Sequence, residues 1–384
     1  MTGDFSIGLA RMHKEPGERR DFLPSFVARL ERYGARIFLE YGYGSGMGYV
    51  ESDYLSVAPS VRFTNHVEVY QQDYVMVLRY PRDSDVRLMR PGACLLSMLH
   101  YPTRPQRVEL VRSLGLEAIS LDSLKDDTGR RLVENLSAVA WNGVEVAFKV
   151  LRSTYPDPGF GSPNRPPIRV TLLGAGAVGS HVVSAAIRYG DEDFRARMVV
   201  ANIPGVQVTA VDYDITSHEV IMRPLLEQTD ILVDATQRPD PTRPVIPNAW
   251  VRYLPEHAVI LDLSVDPYDC GGDLPTVKGI EGIPQGNLDQ YIFAPDDPIF
   301  DYLPDCISTA NRRHTVSCYS WPGLYPKRCM EVYGRQLRPI LHVLIERGGI
   351  QNIDPQGSYF ERAIARALCS RWPNTDKESQ DSHP

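Results

Sequence analysis

The segment RVTLLGAGAVGSHVV, residues 169–183, constrains the fold more than any other stretch of the chain. Its β-branched and leucine run favours extended backbone, then stops at Gly174, Gly176 and Gly179, after which small and apolar residues open a helix. A strand that feeds a helix through such a turn begins a βαβ unit, which needs a parallel sheet with helices on its faces. The GxGxxG spacing adds chemistry. Gly174 permits the tight turn, Gly176 lets backbone approach a pyrophosphate, and Gly179 lets helix and strand pack closely. Ala177 and Val178 lie at the helix N-terminus that faces the anion. The expectation is a dinucleotide site, with His181 a packed helix residue.

An acidic residue at the end of the next strand should accept from the ribose hydroxyls. VQVTAVDYD offers Asp212 and Asp214, which lie 33 and 35 residues past Gly179 instead of the usual distance of about 20. Asp212 is preferred because VTAVD alternates up to it, and the intervening GDEDFRARMVVANIPG is expected to be a longer helix or an insertion. The strand-helix series continues through DILVDAT and AVILDLSVD. A second glycine run, EYGYGSGMGYV, fails the cofactor pattern because Met47 or Tyr49 stands where its third glycine is needed. It reads as a turn lining a cleft.

A separate strand-helix alternation precedes this unit. FSIGLA, RIFLEYG, YVMVLRYP, ACLLSMLH and EAISLDSL read as strands, and SFVARLERYG reads as a helix with Phe26, Val27 and Leu30 on one face. Residues 130–151 carry Leu132, Leu136, Val139, Gly143, Ala147 and Leu151 at helical spacing, which predicts one long amphipathic helix. Five prolines between 156 and 167 end it. After a loop-rich stretch from 267 to 313, CMEVYGRQLRPILHVLIERGG predicts a helix kinked at Pro339, and residues 374–384 predict a disordered tail.

The balance of 41 Lys and Arg against 48 Asp and Glu, a net charge of -7 with no dense basic block, argues against a nucleic-acid partner. No run of apolar residues reaches membrane-spanning length, and the N-terminal stretch lacks the features of a signal peptide. A soluble cytoplasmic protein acting on small molecules is expected. Cys94, Cys270, Cys306, Cys318, Cys329 and Cys369 form no CxxC pair, so reduced thiols are expected and no metal is assigned.

Several residues stand where open α/β sheets place ligands, at the carboxyl ends of predicted strands. His100 follows ACLLSMLH, and an imidazole is the side chain that exchanges protons near neutrality without perturbation. Asp266 is read as ending the strand AVILDLSVD. Arg79 ends YVMVLR, while Arg19 and Arg20 precede the first helix, and an arginine fork suits a carboxylate.

Taken in order, KEPGERRDFLPSFVARL, EYGYGSGMGYVESDY, RPGACLLSMLH, LSAVAWNG, LLGAGAVGSHV, VILDLSVD and WPGLYP resemble the alanine dehydrogenase and transhydrogenase soluble-subunit superfamily, which includes the saccharopine dehydrogenases. The resemblance covers about residues 5–345. It implies an α/β fold of two Rossmann-like domains with parallel sheets, the cofactor NAD and the substrate meeting in the interdomain cleft. The catalytic domain would comprise residues 1–135 and 322–373, with the NAD-binding domain inserted at 136–321. Alignment from Pro24 makes Arg19 the carboxylate-binding arginine, whereas the family's double arginine selects Arg20. The resemblance also implies that His100 donates and accepts the proton, that Asp266 lies by the reacting centre, and that Ser137 lies near the cofactor.

Departures bear on the substrate. The family's substrate-binding lysine is Arg79 here, a nearby aromatic residue is Met98, and an asparagine on the cofactor side is Ser320. The resemblance therefore implies an amino-acid dehydrogenase that interconverts a 2-amino acid and its 2-oxo acid through an imine, with alanine itself not the expected substrate. An opine- or saccharopine-type enzyme, joining a 2-oxo acid to an amino acid, is the alternative. A non-catalytic dinucleotide-binding module is the third reading. A homo-oligomer is compatible with the family.

Overall fold

The structure, a computed structural model, describes residues 5–238, 240–271 and 275–373. The chain divides into two compact units, one formed by Met1–Asn135 with Tyr325–Pro384 and the other by Leu136–Leu324. The tail at 374–384 lies outside the described residues.

The first unit is built on a six-stranded sheet of β1 (Ser6–Leu9), β2 (Arg36–Glu40), β3 (Arg62–Thr64), β4 (Tyr74–Arg79), β5 (Cys94–Met98) and β6 (Glu117–Ser120). Every pair is parallel and the order is β3-β2-β1-β4-β5-β6. The chain adds strands to one side of β1 and then to the other, so the order switches between β1 and β4, which opens a crevice at their carboxyl ends. Alternate residues serve opposite faces: Ile7, Leu9, Met76 and Leu96 pack in one core cluster, Val75, Val77 and Leu95 in another. The first cluster draws in Met330, Tyr333, Leu337 and Leu341 from the helix Pro326–Glu346, which runs on through Pro339. β3 is too short, at three residues, for its pattern to stand out in the sequence.

The second unit carries β7 (Ile168–Leu173), β8 (Val206–Val211), β9 (Ile231–Asp234), β10 (Val259–Asp262), β11 (Ile292–Phe293) and β12 (His314–Ser317). Their order is β11-β12-β10-β9-β7-β8, parallel except for the short antiparallel edge β11. The predicted helix at 130–151 begins later, at Leu136, and ends at Thr154. Upstream, Arg131 bridges Lys125 in an antiparallel turn that occupies the backbone a helix would use. Within the helix, Gly143 is required by close approach, since a Cβ there would lie 2.6 Å from Leu263 Cδ2. Asn142 donates to the Trp321 carbonyl at 2.9 Å, and Trp321 Nε1 donates to the Asp262 carbonyl at 2.8 Å, so the turn Trp321–Leu324 belongs to this unit.

The expectation of reduced thiols throughout is corrected at one place. Cys270 and Cys306 are joined as a disulfide across the loop-rich stretch, 36 residues apart, a spacing that no short motif reveals. Cys94, Cys318, Cys329 and Cys369 are buried thiols. No helix of the described residues is long and apolar enough to cross a membrane.

Candidate active site

In the first unit, loops leaving β1, β4, β5 and β6 carry the candidate chemistry. Arg20 is 2% exposed, and its Nε donates to Glu18 Oε1 at 2.8 Å. Glu18 is itself enclosed, its side chain 1% exposed. Burial pushes the Glu18 carboxyl up, but the charge and hydrogen bonds of Arg20 outweigh burial and hold it below the usual carboxylate range. Arg20 Nη1 also lies 3.8 Å from Cys329 Sγ. Arg20 is thus committed to holding its own loop, while Arg19 beside it is exposed. The two arginines looked alike in sequence because only the fold decides which one faces Glu18.

Arg79 ends β4, and its register partner across the sheet is Met98, which brings these two sequence-selected residues together. Arg79 Nη2 lies 3.9 Å from Glu15 Oε1, so part of its charge is shared. Two further cations surround Tyr80: the Lys14 ammonium at 5.4 Å and the Arg107 guanidinium at 4.4 Å from the ring centroid. Burial lowers the Lys14 pKa, and Arg107 and Arg79 lower it further. Neither Lys14 nor Arg107 was selected in the sequence. Arg107 sits in an ordinary amphipathic helix pattern, although Lys14 falls within the KEPGERR segment that could have pointed to it.

His100 lies two residues beyond β5 in the left-handed region, φ 54°. Its Nδ1 is 3.3 Å from Asp122 Oδ2, and its backbone N–H donates to Asp122 Oδ1 at 3.2 Å. Ser120 Oγ donates to the same carboxylate at 2.8 Å. Burial pushes the Asp122 carboxyl up, yet the hydrogen bond and charge of His100, then Ser120, pull it down to about 2. A fixed carboxylate at Nδ1 orients the ring and selects its tautomer. Asp122 was missed because SLDSL reads as a strand followed by a turn; its place two residues after β6 was the available signal.

In the second unit, the glycine turn has the geometry its spacing predicts. Gly174 has φ 86°, and a Cβ on it would lie 2.9 Å from the Ala235 carbonyl oxygen. At Gly179 a Cβ would come within 2.2 Å of the Gly174 carbonyl oxygen, while at Gly176 it would meet nothing within 4 Å. Gly176 precedes the helix Ala177–Ala186, so the space opens at that helix's N-terminus beside Ala177 and Val178. A diphosphate fits such a cradle, because backbone donors face it and no side chain fills it.

Asp212 follows β8 directly, is exposed, and accepts from the Tyr213 N–H at 2.8 Å. Its long interval from Gly179 is explained by an added helix, Glu192–Val200. Ser137 is exposed at the first turn of the helix Leu136–Thr154. Ser320 is 7% exposed in the turn after β12, where its carbonyl accepts from the Gly323 N–H at 2.8 Å.

The reading of Asp266 as a strand-end residue is corrected. β10 ends at Asp262, and Asp266 lies in the following loop, where its Oδ2 accepts from Arg238 Nη2 at 2.8 Å. Asp262 turns inward, fully buried against Lys278 Nζ at 2.8 Å and Ser317 Oγ at 2.9 Å. Its Oδ1 also accepts from the Val265 N–H at 2.9 Å, pinning a turn in which Val265 has φ 58°. A β-branched residue rarely adopts that conformation, and the buried pair below it supports the strain. Lys278 and Arg238 were both missed, since each sits in a segment without periodic pattern.

Residues 11–140 match the family model described as Alanine dehydrogenase/PNT, N-terminal domain. Alanine dehydrogenase of Bacillus subtilis (strain 168) is 23% identical over 287 residues, covering 71% of this chain and 73% of that protein. Alanine dehydrogenase of Methanococcus maripaludis is 21% identical over 286 residues, with 71% and 75% covered. Among solved structures, an L-alanine dehydrogenase superposes with a TM-score of 0.70 at 18% identity, covering 95% of this chain and 94% of that one. A transhydrogenase from Sinorhizobium meliloti gives 0.61 at 16% identity, with 89% and 94% covered. Two α/β units with largely parallel sheets define a Rossmann-like architecture. The first unit thus carries a match to that N-terminal domain model, and the fold as a whole is similar to those of the alanine dehydrogenase and the transhydrogenase.

Proposed function

We propose that the protein is an NAD-dependent oxidoreductase that interconverts a 2-amino acid and a 2-oxo acid. The observation that carries this reading is the His100–Asp122 pair beyond the carboxyl ends of β5 and β6, with the Arg107 guanidinium close enough to act on Asp122 electrostatically. Arg19 binds the substrate carboxylate, and Arg79 with Lys14 polarises the oxo group or holds a second polar group. His100, oriented by Asp122, moves the proton at its Nε2. Asp266, held by Arg238, offsets the positive charge of the imine or orients water. Gly174, Gly176, Ala177, Val178 and Gly179 hold the diphosphate, Asp212 the ribose, and Ser137 and Ser320 stand on the cofactor side. When bound, NAD supplies or accepts the hydride at the substrate Cα.

Relatives named alanine dehydrogenase support this reaction type. The replacement of lysine by Arg79, with Met98 as its register partner, favours a substrate larger or more polar than alanine. A panel of 2-oxo acids with ammonia or amino acids as amine donors, followed by NADH absorbance, tests the proposal. Oxidation of NADH with ammonia and a bulkier or dicarboxylic oxo acid is expected. Turnover only with an amino acid as donor would select the opine-type reaction, and highest kcat/KM for pyruvate would select alanine.

Two cofactor predictions follow from the glycine turn and Asp212. Gly176→Val should weaken NADH binding by fluorescence titration while leaving the melting temperature unchanged, whereas Gly179→Val should lower the melting temperature through its clash with Gly174. Equal NADH affinity in Gly176→Val would move the diphosphate elsewhere. NADH should also bind more tightly than NADPH, because the Asp212 carboxylate repels a 2′-phosphate; Asp212→Ala should narrow that gap, and an unchanged ratio would remove Asp212 from the ribose.

A further inference from the structure

A second cluster in the first unit plays no part in the proposed reaction. His13 lies in the loop after β1, Glu40 is the last residue of β2, and His66 opens the helix His66–Tyr70 after β3. β1, β2 and β3 are adjacent, so all three residues leave the same end of neighbouring strands. His13 Nε2 is 2.7 Å and His66 Nδ1 is 3.0 Å from the same oxygen, Glu40 Oε1. The three donor atoms lie within 4.8 Å of one another.

Surrounding groups orient each member. Glu40 Oε2 accepts from the Arg11 backbone N–H at 2.8 Å, which fixes the carboxylate with Oε1 toward the two rings. The other nitrogen of His66, Nε2, is 3.3 Å from Asp85 Oδ1. A carboxylate behind a histidine is the usual outer partner of a metal-binding imidazole, since it holds the N–H on the far nitrogen and leaves a lone pair on the near one. A neutral ring cannot donate from both nitrogens. His66 faces a carboxylate oxygen on each side, so an N–H held toward Asp85 at Nε2 leaves Nδ1 with its lone pair directed at the Glu40 side, where a metal ion would sit.

Tyr70 supplies an independent sign. It is fully buried, its ring centroid is 5.1 Å from that of His66, and its hydroxyl makes no hydrogen bond among the described residues. Asp85 and Glu40 both lie close enough to act on that hydroxyl electrostatically. An orphaned hydroxyl beside this cluster is explained by a ligand-bound water or an ion that the protein atoms alone do not supply.

We propose that His13 Nε2, Glu40 Oε1 and His66 Nδ1 bind one divalent transition-metal ion of the zinc class, with Asp85 as the positioning carboxylate and water on the Tyr70 side. Two imidazoles and a carboxylate suit zinc and its neighbours better than calcium or magnesium. Zinc bonds of about 2.0–2.1 Å place tetrahedral ligands roughly 3.3 Å apart, so loading opens the two N···O contacts by a few tenths of an ångström. The ion ties the loop after β1, which continues to Arg19, to the ends of β2 and β3. Spacings of 27 and 26 residues between these ligands hide the site from any sequence motif.

Chelator-treated full-length protein titrated with Zn²⁺ by calorimetry, and with Co²⁺ by visible absorption, tests the site. One equivalent is expected, with an intense low-symmetry Co²⁺ spectrum and a rise in melting temperature. His13→Gln and His66→Gln should each weaken binding by more than about a hundredfold, and Asp85→Asn by about 10–100-fold. His13→Gln alters a loop side chain and keeps the test decisive if His66→Gln misfolds. Absence of saturable binding, or binding unchanged by His13→Gln, would overturn the proposal.

Discussion

Replacing His100 with alanine should lower turnover by about 10²–10⁴-fold, the range expected on losing a general acid or base, with NADH binding retained. The glycine turn proposed to hold the cofactor belongs to the other unit. Asp122→Asn tests the same chemistry from behind. An amide in place of the carboxylate keeps the shape but removes the charge at Nδ1, so kcat should fall while KM changes little. pH adds a control. The Asp122 carboxyl is held at about 2 against an ordinary 3.8, so its contribution to stability is complete above pH 3.8 and is lost as pH falls through about 2. Any loss of activity between pH 5 and 7 therefore comes from a group other than Asp122. Steady-state rates of His100→Ala within threefold of the parent would end His100's candidacy.

The largest structural effect should come from Glu18→Ala. Both members of the Glu18–Arg20 pair are enclosed, at 1% and 2% side-chain exposure, so removing the carboxylate strands a guanidinium that cannot lose its charge. Breaking such a pair from one side costs about 3–5 kcal/mol. Urea unfolding followed by circular dichroism should show that loss in Glu18→Ala. The double change Glu18→Leu with Arg20→Met, which removes both charges and keeps volume, should recover most of it. Arg19→Ala, by contrast, should leave stability nearly unchanged and raise KM for the oxo acid. A Glu18→Ala variant within about 0.5 kcal/mol of the parent would mean that water reaches Arg20.

What was legible in the sequence was what is local. The glycine turn, the strands from FSIGLA to AVILDLSVD and the position of His100 after β5 all follow from short-range pattern. Partners brought in across the sheet were not legible. Asp122 reaches His100 because β6 lies beside β5, and Lys278 reaches Asp262 from a loop with no period. Arg19 and Arg20 carry the same chemistry in sequence and opposite environments in the fold. The strand AVILDLSVD reads as running to Asp266 for the same reason: its alternation continues through 266, but the strand ends at Asp262, where the buried Lys278 holds the carboxylate. The ligands at 13, 40 and 66 become neighbours only through the order of three strands.

The division of the chain also imposes an order on its synthesis. Residues 136–324 form one continuous unit and can complete it as soon as they leave the ribosome. The first unit cannot, because the core behind β1, β4 and β5 is closed by Met330, Tyr333, Leu337 and Leu341, which are translated last. At about 5–20 residues per second, the exposed face of the first sheet waits many seconds for its cover. During that interval the nascent chain presents unpaired apolar surface next to a finished neighbour. A chaperone that binds extended apolar segments would therefore act on the first 135 residues, and a stop codon near residue 325 should yield a soluble second unit joined to an aggregating first half.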